Sequence, residues 1–105
     1  MTENSPARDT DGYLVEPQDW TETLAEALAA EEGLTLSDEH WTVIEFMRQS
    51  YIEKQIAPDV RHVIKHLSKV HSVGRNRIFE LFPYGYVQQA CKISGMKKPR
   101  AWSTG

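Results

Sequence analysis

The chain has 105 residues, 40% hydrophobic and 26% charged, which is the composition of one soluble domain with a modest core. No apolar run approaches the roughly 20 residues of a membrane span, "MTENSPARDTDG" lacks the apolar stretch of a secretory leader, and a single cysteine excludes an internal disulfide framework, so a cytoplasmic protein is expected. The net charge of −3 conceals a split, with 13 acids against 2 bases in residues 1–53 and 10 bases against 2 acids in residues 54–105; this fits an anionic partner for the basic half, and equally a fold whose two halves attract each other.

Residues 1–10 are polar and include Pro6, as in a disordered tail. "DGYLV" is a turn signal before a short β-like run, with no apolar strand ahead of it to complete a strong hairpin. A first helix is predicted from Trp20 to Glu32, capped by Asp19 with Glu22 three residues on, striped by Leu24, Ala27 and Leu28, and ended by Gly33. Ser37 caps a longer second helix, with Asp38 and Glu39 in the first turn, where the helix dipole favours acids. Its apolar face is Trp41, Ile44, Met47 and Tyr51, widened by Val43 and Phe46, and it is the expected central core helix.

Pro58 suits the first turn of a third helix, whose inner face is Val60, Val63, Ile64, Leu67 and Val70. Its outer face carries Arg61, His62, Lys65, His66 and Lys69. "HSVGRN" interrupts it, "RIFELF" is a short fourth helix stopped by Pro83 and Gly85, and "YVQQACKIS" is a fifth, ending at Gly95. Residues 96–105, "MKKPRAWSTG", show no periodicity and read as an arm, so the domain proper is 11–95. The predicted fold is mainly α, a compact bundle of five helices.

Three groups of residues are candidates for chemistry or binding. His62 and His66 share a helix face at a spacing that can hold zinc, but no acid lies between them and no third ligand is evident; a solvated basic face is the better account, and neither metal nor cofactor is expected. The third and fourth helices form a helix-turn-helix-like pair in which Arg61, Lys65, Lys69, Arg75 and Arg77 are candidate contacts for an anion or nucleic acid. Cys91 follows Val87 by four and so can lie on an apolar face as a small buried hydrophobe. Against that, Lys92, Lys97, Lys98 and Arg100 stand close in sequence, and positive charge favours a reactive thiolate. No catalytic constellation accompanies it.

The segments "GYL", a following Trp, "EGLTLSDEHWTVIEFMRQSY" and "LFPYGYVQQACKISGMKKP" resemble the DsrC/TusE family over about Asp11 to Pro99, with "HW", "LFP" and "QACKI-G--KP" in distinctive order and spacing. The resemblance implies a small cytoplasmic sulfur-relay protein: a helical bundle with a helix-turn-helix-like element, a short N-terminal β-hairpin and a flexible C-terminal arm. In the family, members serving sulfite reduction, such as its gamma subunit, carry one cysteine in the last helix and one in the arm. TusE-like members of tRNA thiolation keep only the arm cysteine, which carries the sulfur into partner proteins. Cys91 matches the helix cysteine; the arm cysteine falls eleven positions later, where this chain has Trp102, and the residue at 104 is Thr. The hydroxyls of Ser103 and Thr104 stay protonated at neutral pH and cannot hold sulfane sulfur. The family's "GPA" reads "GYV" at Gly85 to Val87, and polar residues replace the first hairpin strand, which points to altered partner surfaces.

Three functions follow from the resemblance and the residues. The first is a relative without the arm thiol that docks on partners of sulfur metabolism or regulates them. There Lys97, Lys98 and Arg100 steer the arm and Trp102 anchors it, and the chain is not itself an enzyme. The second is a sulfurtransferase-type carrier using Cys91 alone. The third is a transcriptional regulator binding DNA through the basic helix-turn-helix.

Overall fold

The structure, a computed structural model, describes residues 6–97, the side chain of Val87 excepted. In chain order it contains a 3-10 turn at Pro17–Asp19, α1 (Glu22–Glu31), α2 (Asp38–Lys54), α3 (Val60–His71), α4 (Arg77–Leu81) and a π-helix at Tyr86–Cys91. The expected hairpin is reduced to one antiparallel bridge between Arg8 and Leu14, closed by bonds from Asp9 N to Tyr13 O and from Val15 N to Ala7 O.

The helix starts follow local chemistry. Pro17 opens the 3-10 turn that absorbs Asp19, so the cap of α1 is Thr21, whose hydroxyl accepts from Leu24 N at 3.0 Å, and not Asp19 as the sequence suggested. Ser37 caps α2 as expected. The capping box is closed from the other side by His40, whose Nδ1 accepts from Ser37 N at 3.0 Å. Asp59 caps α3 and accepts from Arg61 N at 2.8 Å; Pro58 therefore lies just outside the helix instead of in its first turn. Gln55 and Ser72, both in the left-handed region, end α2 and α3.

Val43, Ile44 and Met47 of α2 stand at the centre of the core. Around them lie Ala25, Leu28 and Ala29 of α1, Val63 and Leu67 of α3, Ile78 and Leu81 of α4, and Tyr86, Ala90, Cys91, Ile93 and Met96. Each fully buried aliphatic of this set contributes about 1.5–3 kcal/mol relative to exposure. The acidic and basic halves of the sequence therefore pack as one unit. Val70, read as an inner-face residue, lies in the last turn of α3 and is 52% exposed, whereas Val63 and Leu67 are buried. No described helix is long and apolar enough to cross a membrane.

Candidate functional site

The last segment of the described chain is a π-helix, not the α-helix its periodicity suggested. Gly85, at φ 104, lets the chain turn sharply into it after Pro83. The wider turn places Tyr86 and Cys91 at its two ends, and both side chains point inward: Tyr86 is 1% exposed and Cys91 0%. Such turns mark functional positions often enough to direct attention here.

Around Cys91 the environment is apolar and closed. Burial pushes the thiol up to about 12, and the Tyr86 hydroxyl is the group that pulls it back down. That hydroxyl also donates to the carbonyl of Pro58, and burial raises its own pKa far above the usual phenol. Tyr13, 4% exposed, is pushed up to about 12, first by burial and then by the charge a Cys91 thiolate would carry. Lys92, next to Cys91 in sequence, points elsewhere. Its ammonium is 3.6 Å from Glu32 Oε2 and 5.3 Å from the centre of the Tyr13 ring. The neighbouring positive charge that argued for a reactive thiolate is thus spent on Glu32 and Tyr13.

Buried Gln89 fixes the same segment. Its Oε1 accepts from Tyr84 N at 3.0 Å and its Nε2 donates to Glu32 Oε1 at 3.0 Å. Among the described residues every buried side-chain nitrogen and oxygen has a hydrogen-bond partner. No described group of three or more His, Cys, Asp or Glu side chains is placed to hold a metal ion. His66 stacks on Phe46 at 4.5 Å, and His71 Nε2 shares a 2.8 Å hydrogen bond with Thr42 Oγ1.

The point where the arm leaves is clamped. Trp20 Nε1 donates to Ile93 O at 2.9 Å, and Arg48 donates to Ser94 O at 3.1 Å while its guanidinium covers the Trp20 ring at 4.7 Å. Gly95 stands at φ 78, and a Cβ there would lie 2.5 Å from Trp20 Cδ1. Met96 is buried and Lys97 exposed; Lys98, Arg100 and Trp102 lie outside the described residues.

The candidate anion-binding residues are spread over α3 and α4 and are partly engaged. Lys65 and Lys69 are exposed along one side of α3, and Arg75 is exposed in the turn. Arg61 instead pairs with Asp59, with Nε 3.1 Å from Oδ1. Arg77 is held between Glu39 of α2 and Glu80 of its own helix, which raises its pKa. The short α4 therefore presents no free arginine at its start.

Sequence reasoning missed His40, Trp20, Arg48, Tyr86 and Gln89 as determinants of this region. "HW" and "LFP" signalled His40 through their place in the resemblance. Gln89 opens the "QACKI-G--KP" pattern and was signalled by its place in the resemblance, but that it is buried shows only through its partners.

Comparison with known proteins agrees with the geometry. The family profile described as "DsrC like protein" matches residues 1–101. The chain is 44% identical over 94 residues to the sulfurtransferase TusE of Sodalis glossinidius, covering 87% of each. The crystal structure of the oxidized gamma-subunit of dissimilatory sulfite reductase (DsrC) from Archaeoglobus fulgidus superposes with a TM-score of 0.86 at 34% identity, over 93% of this chain and 92% of that one. The NMR structure of Allochromatium vinosum DsrC superposes with a TM-score of 0.75 at 37% identity, over 91% and 88%.

Proposed function

The chain belongs to the DsrC-like family of sulfur-relay proteins, and on that premise we propose that it docks on or regulates protein partners of sulfur metabolism and does not itself carry sulfur. One observation carries the proposal: the only cysteine, Cys91, is fully buried and its thiol is pushed up to about 12. Sulfane sulfur is accepted and passed on by a thiolate that meets its donor. A thiol held that far above its ordinary value by burial stays protonated at neutral pH, and the core closes over it. Position 102, where the family places its carrier thiol, is Trp102.

In this role the arm serves recognition. Lys97, Lys98 and Arg100 attract an acidic cleft of a cytoplasmic partner, and Trp102 supplies an apolar anchor. A one-thiol carrier built on Cys91 would need the core to open at each transfer. Nucleic-acid binding is the weaker use of the basic half, because Arg61 and Arg77 are already paired within the chain.

Alkylation tests the proposal. Folded protein treated with iodoacetamide should stay unmodified by intact mass over hours and take one adduct at Cys91 once guanidinium unfolds it. Rapid modification of the folded protein would show a usable thiol and reject the non-carrier role.

A further inference from the structure

Residues 7–15 form a turn that is well bonded to itself. Asp9 N donates to Tyr13 O at 2.8 Å, Gly12 N to Asp9 O at 2.9 Å and Val15 N to Ala7 O at 3.0 Å. The Asp9 carboxylate accepts from the amides of Asp11 and Tyr13 at 2.9 and 3.0 Å, and Arg8 Nε donates to Gly12 O at 2.9 Å. Two side chains of this turn reach inward, Tyr13 at 4% and Leu14 at 1% exposure. Tyr13 belongs to the same buried cluster as Cys91.

Charge helps to fasten the turn to the body. Helix α1 runs out at Glu31 and Glu32 with no base in its last turn, at the end where the helix dipole disfavours acids. The cations that offset them come from the turn and from the Cys91 segment. Arg8 meets both oxygens of Glu31, at 2.8 and 3.0 Å, and Lys92 lies 3.6 Å from Glu32. Lys92 also touches the turn: its ammonium is 5.3 Å from the centre of the Tyr13 ring, and a Cβ on Gly12 would stand 3.6 Å from its Nζ. The Arg8–Glu31 pair is part-exposed, and such pairs hold weakly and are screened by salt. A cleft of about 260 Å³ marks the seam, lined by Asp11 and Tyr13 of the turn and by Glu32, Tyr84, Gln88 and Lys92 of the body.

We infer that this N-terminal turn is the lid of Cys91: it lifts as a unit while the helices stay folded, and its lifting, not unfolding of the whole domain, uncovers the thiol. The inference deepens the proposed role and rests on it, since it takes Cys91 as closed in the free protein and names what closes it. A unit bonded within itself and tied to its neighbours by a few side chains opens more readily than the core beneath. Lifting withdraws Tyr13 from the cluster and lets water reach the Cys91 segment, which favours the thiolate. High salt, or an acidic surface that competes with Glu31 for Arg8, shifts the turn toward its open form.

Two rates measured on the folded full chain decide it: modification of Cys91 by N-ethylmaleimide, followed by intact mass, and amide hydrogen exchange, followed by NMR. The protection of the thiol should equal that of the Val15 amide, which closes the turn, and fall well below that of the Ile44 and Met47 amides in α2. Arg8→Gln should speed the modification about two- to fivefold, leave the urea midpoint nearly unchanged and remove the acceleration that high salt gives the parent. Arg61→Gln, which breaks the exposed pair at the start of α3, should leave the rate as it is. Thiol protection equal to that of the α2 amides would overturn the inference, because Cys91 would then open only with the whole domain. An Arg8→Gln rate no faster than the parent's would overturn it as well. The lid is read from ratios between rates, so it is judged apart from the proposed role, which fails on rapid modification of the parent itself.

Discussion

His40 Nε2 lies 2.8 Å from the carbonyl oxygen of Leu81, and this one bond joins the start of α2 to the end of α4. A carbonyl only accepts, so Nε2 bears the proton and Nδ1 is the acceptor for Ser37 N. The imidazole edge also meets Phe82 at 5.1 Å. "HW" and "LFP", separate in sequence, are thus one joint. The contact of Trp20 with Ile93 O and Gly95 is a second, linking the early tryptophan to "KISG". Between them the two joints hold the segment that contains Cys91.

Replacing His40 tests the first joint. His40→Ala leaves the Leu81 carbonyl and the Ser37 amide without their partners and should cost about 1–3 kcal/mol in urea unfolding. Burial lowers the His40 pKa from its ordinary 6.5. Because the unfolded chain binds the proton more readily, the stability this group supports is full above pH 6.5 and is lost as pH falls from there toward the folded value. His40→Gln should remove that part of the pH dependence.

Gly95→Ala tests the second joint. The new Cβ would press on Trp20 at a backbone angle that L-residues avoid, with a loss of about 2 kcal/mol or more. Trp20→Ala is itself destabilising. In the double variant the steric part should vanish, so that a cycle of denaturation midpoints shows clear non-additivity. Additive losses would mean that the two residues do not meet.

Tyr86→Phe removes the donor to Pro58 O without opening a cavity. A loss of about 1–2 kcal/mol is expected. Tyr86 is also the group that lowers the Cys91 pKa, so the thiol in the variant should titrate still higher, as thiolate absorbance during an alkaline titration would reveal.

Lys65→Glu with Lys69→Glu addresses the nucleic-acid alternative. Both residues are exposed, so stability should change by no more than about 0.5 kcal/mol per site. Fluorescence anisotropy with a labelled DNA duplex at physiological salt should show no binding for the parent chain. Saturable binding that these changes abolish would restore the helix-turn-helix as a functional surface.

Much of the fold was legible because its signals are local. The inner face of α2 and the Ser37 cap follow from periodicity and capping chemistry, and Val43, Ile44 and Met47 are buried as that stripe requires. The start of α1 was misplaced because Pro17 draws Asp19 into a 3-10 turn. The π-helix was read as α because its apolar spacing over six residues is compatible with either. The state of Cys91 was beyond sequence, since it turns on where Lys92 points and what covers the thiol. The structure sends Lys92 to Glu32 and Tyr13 and closes the core over the sulfur.

The central claim is that this chain has kept the family shape without a working thiol. Intact-protein mass after exposure of the folded chain to a persulfide donor tests it most directly, with Cys91→Ser as control. The expected result is no sulfur adduct on either protein. A gain of about 32 Da, one sulfur atom, that is absent from Cys91→Ser and passes to an acceptor thiol would contradict the claim and make Cys91 a carrier.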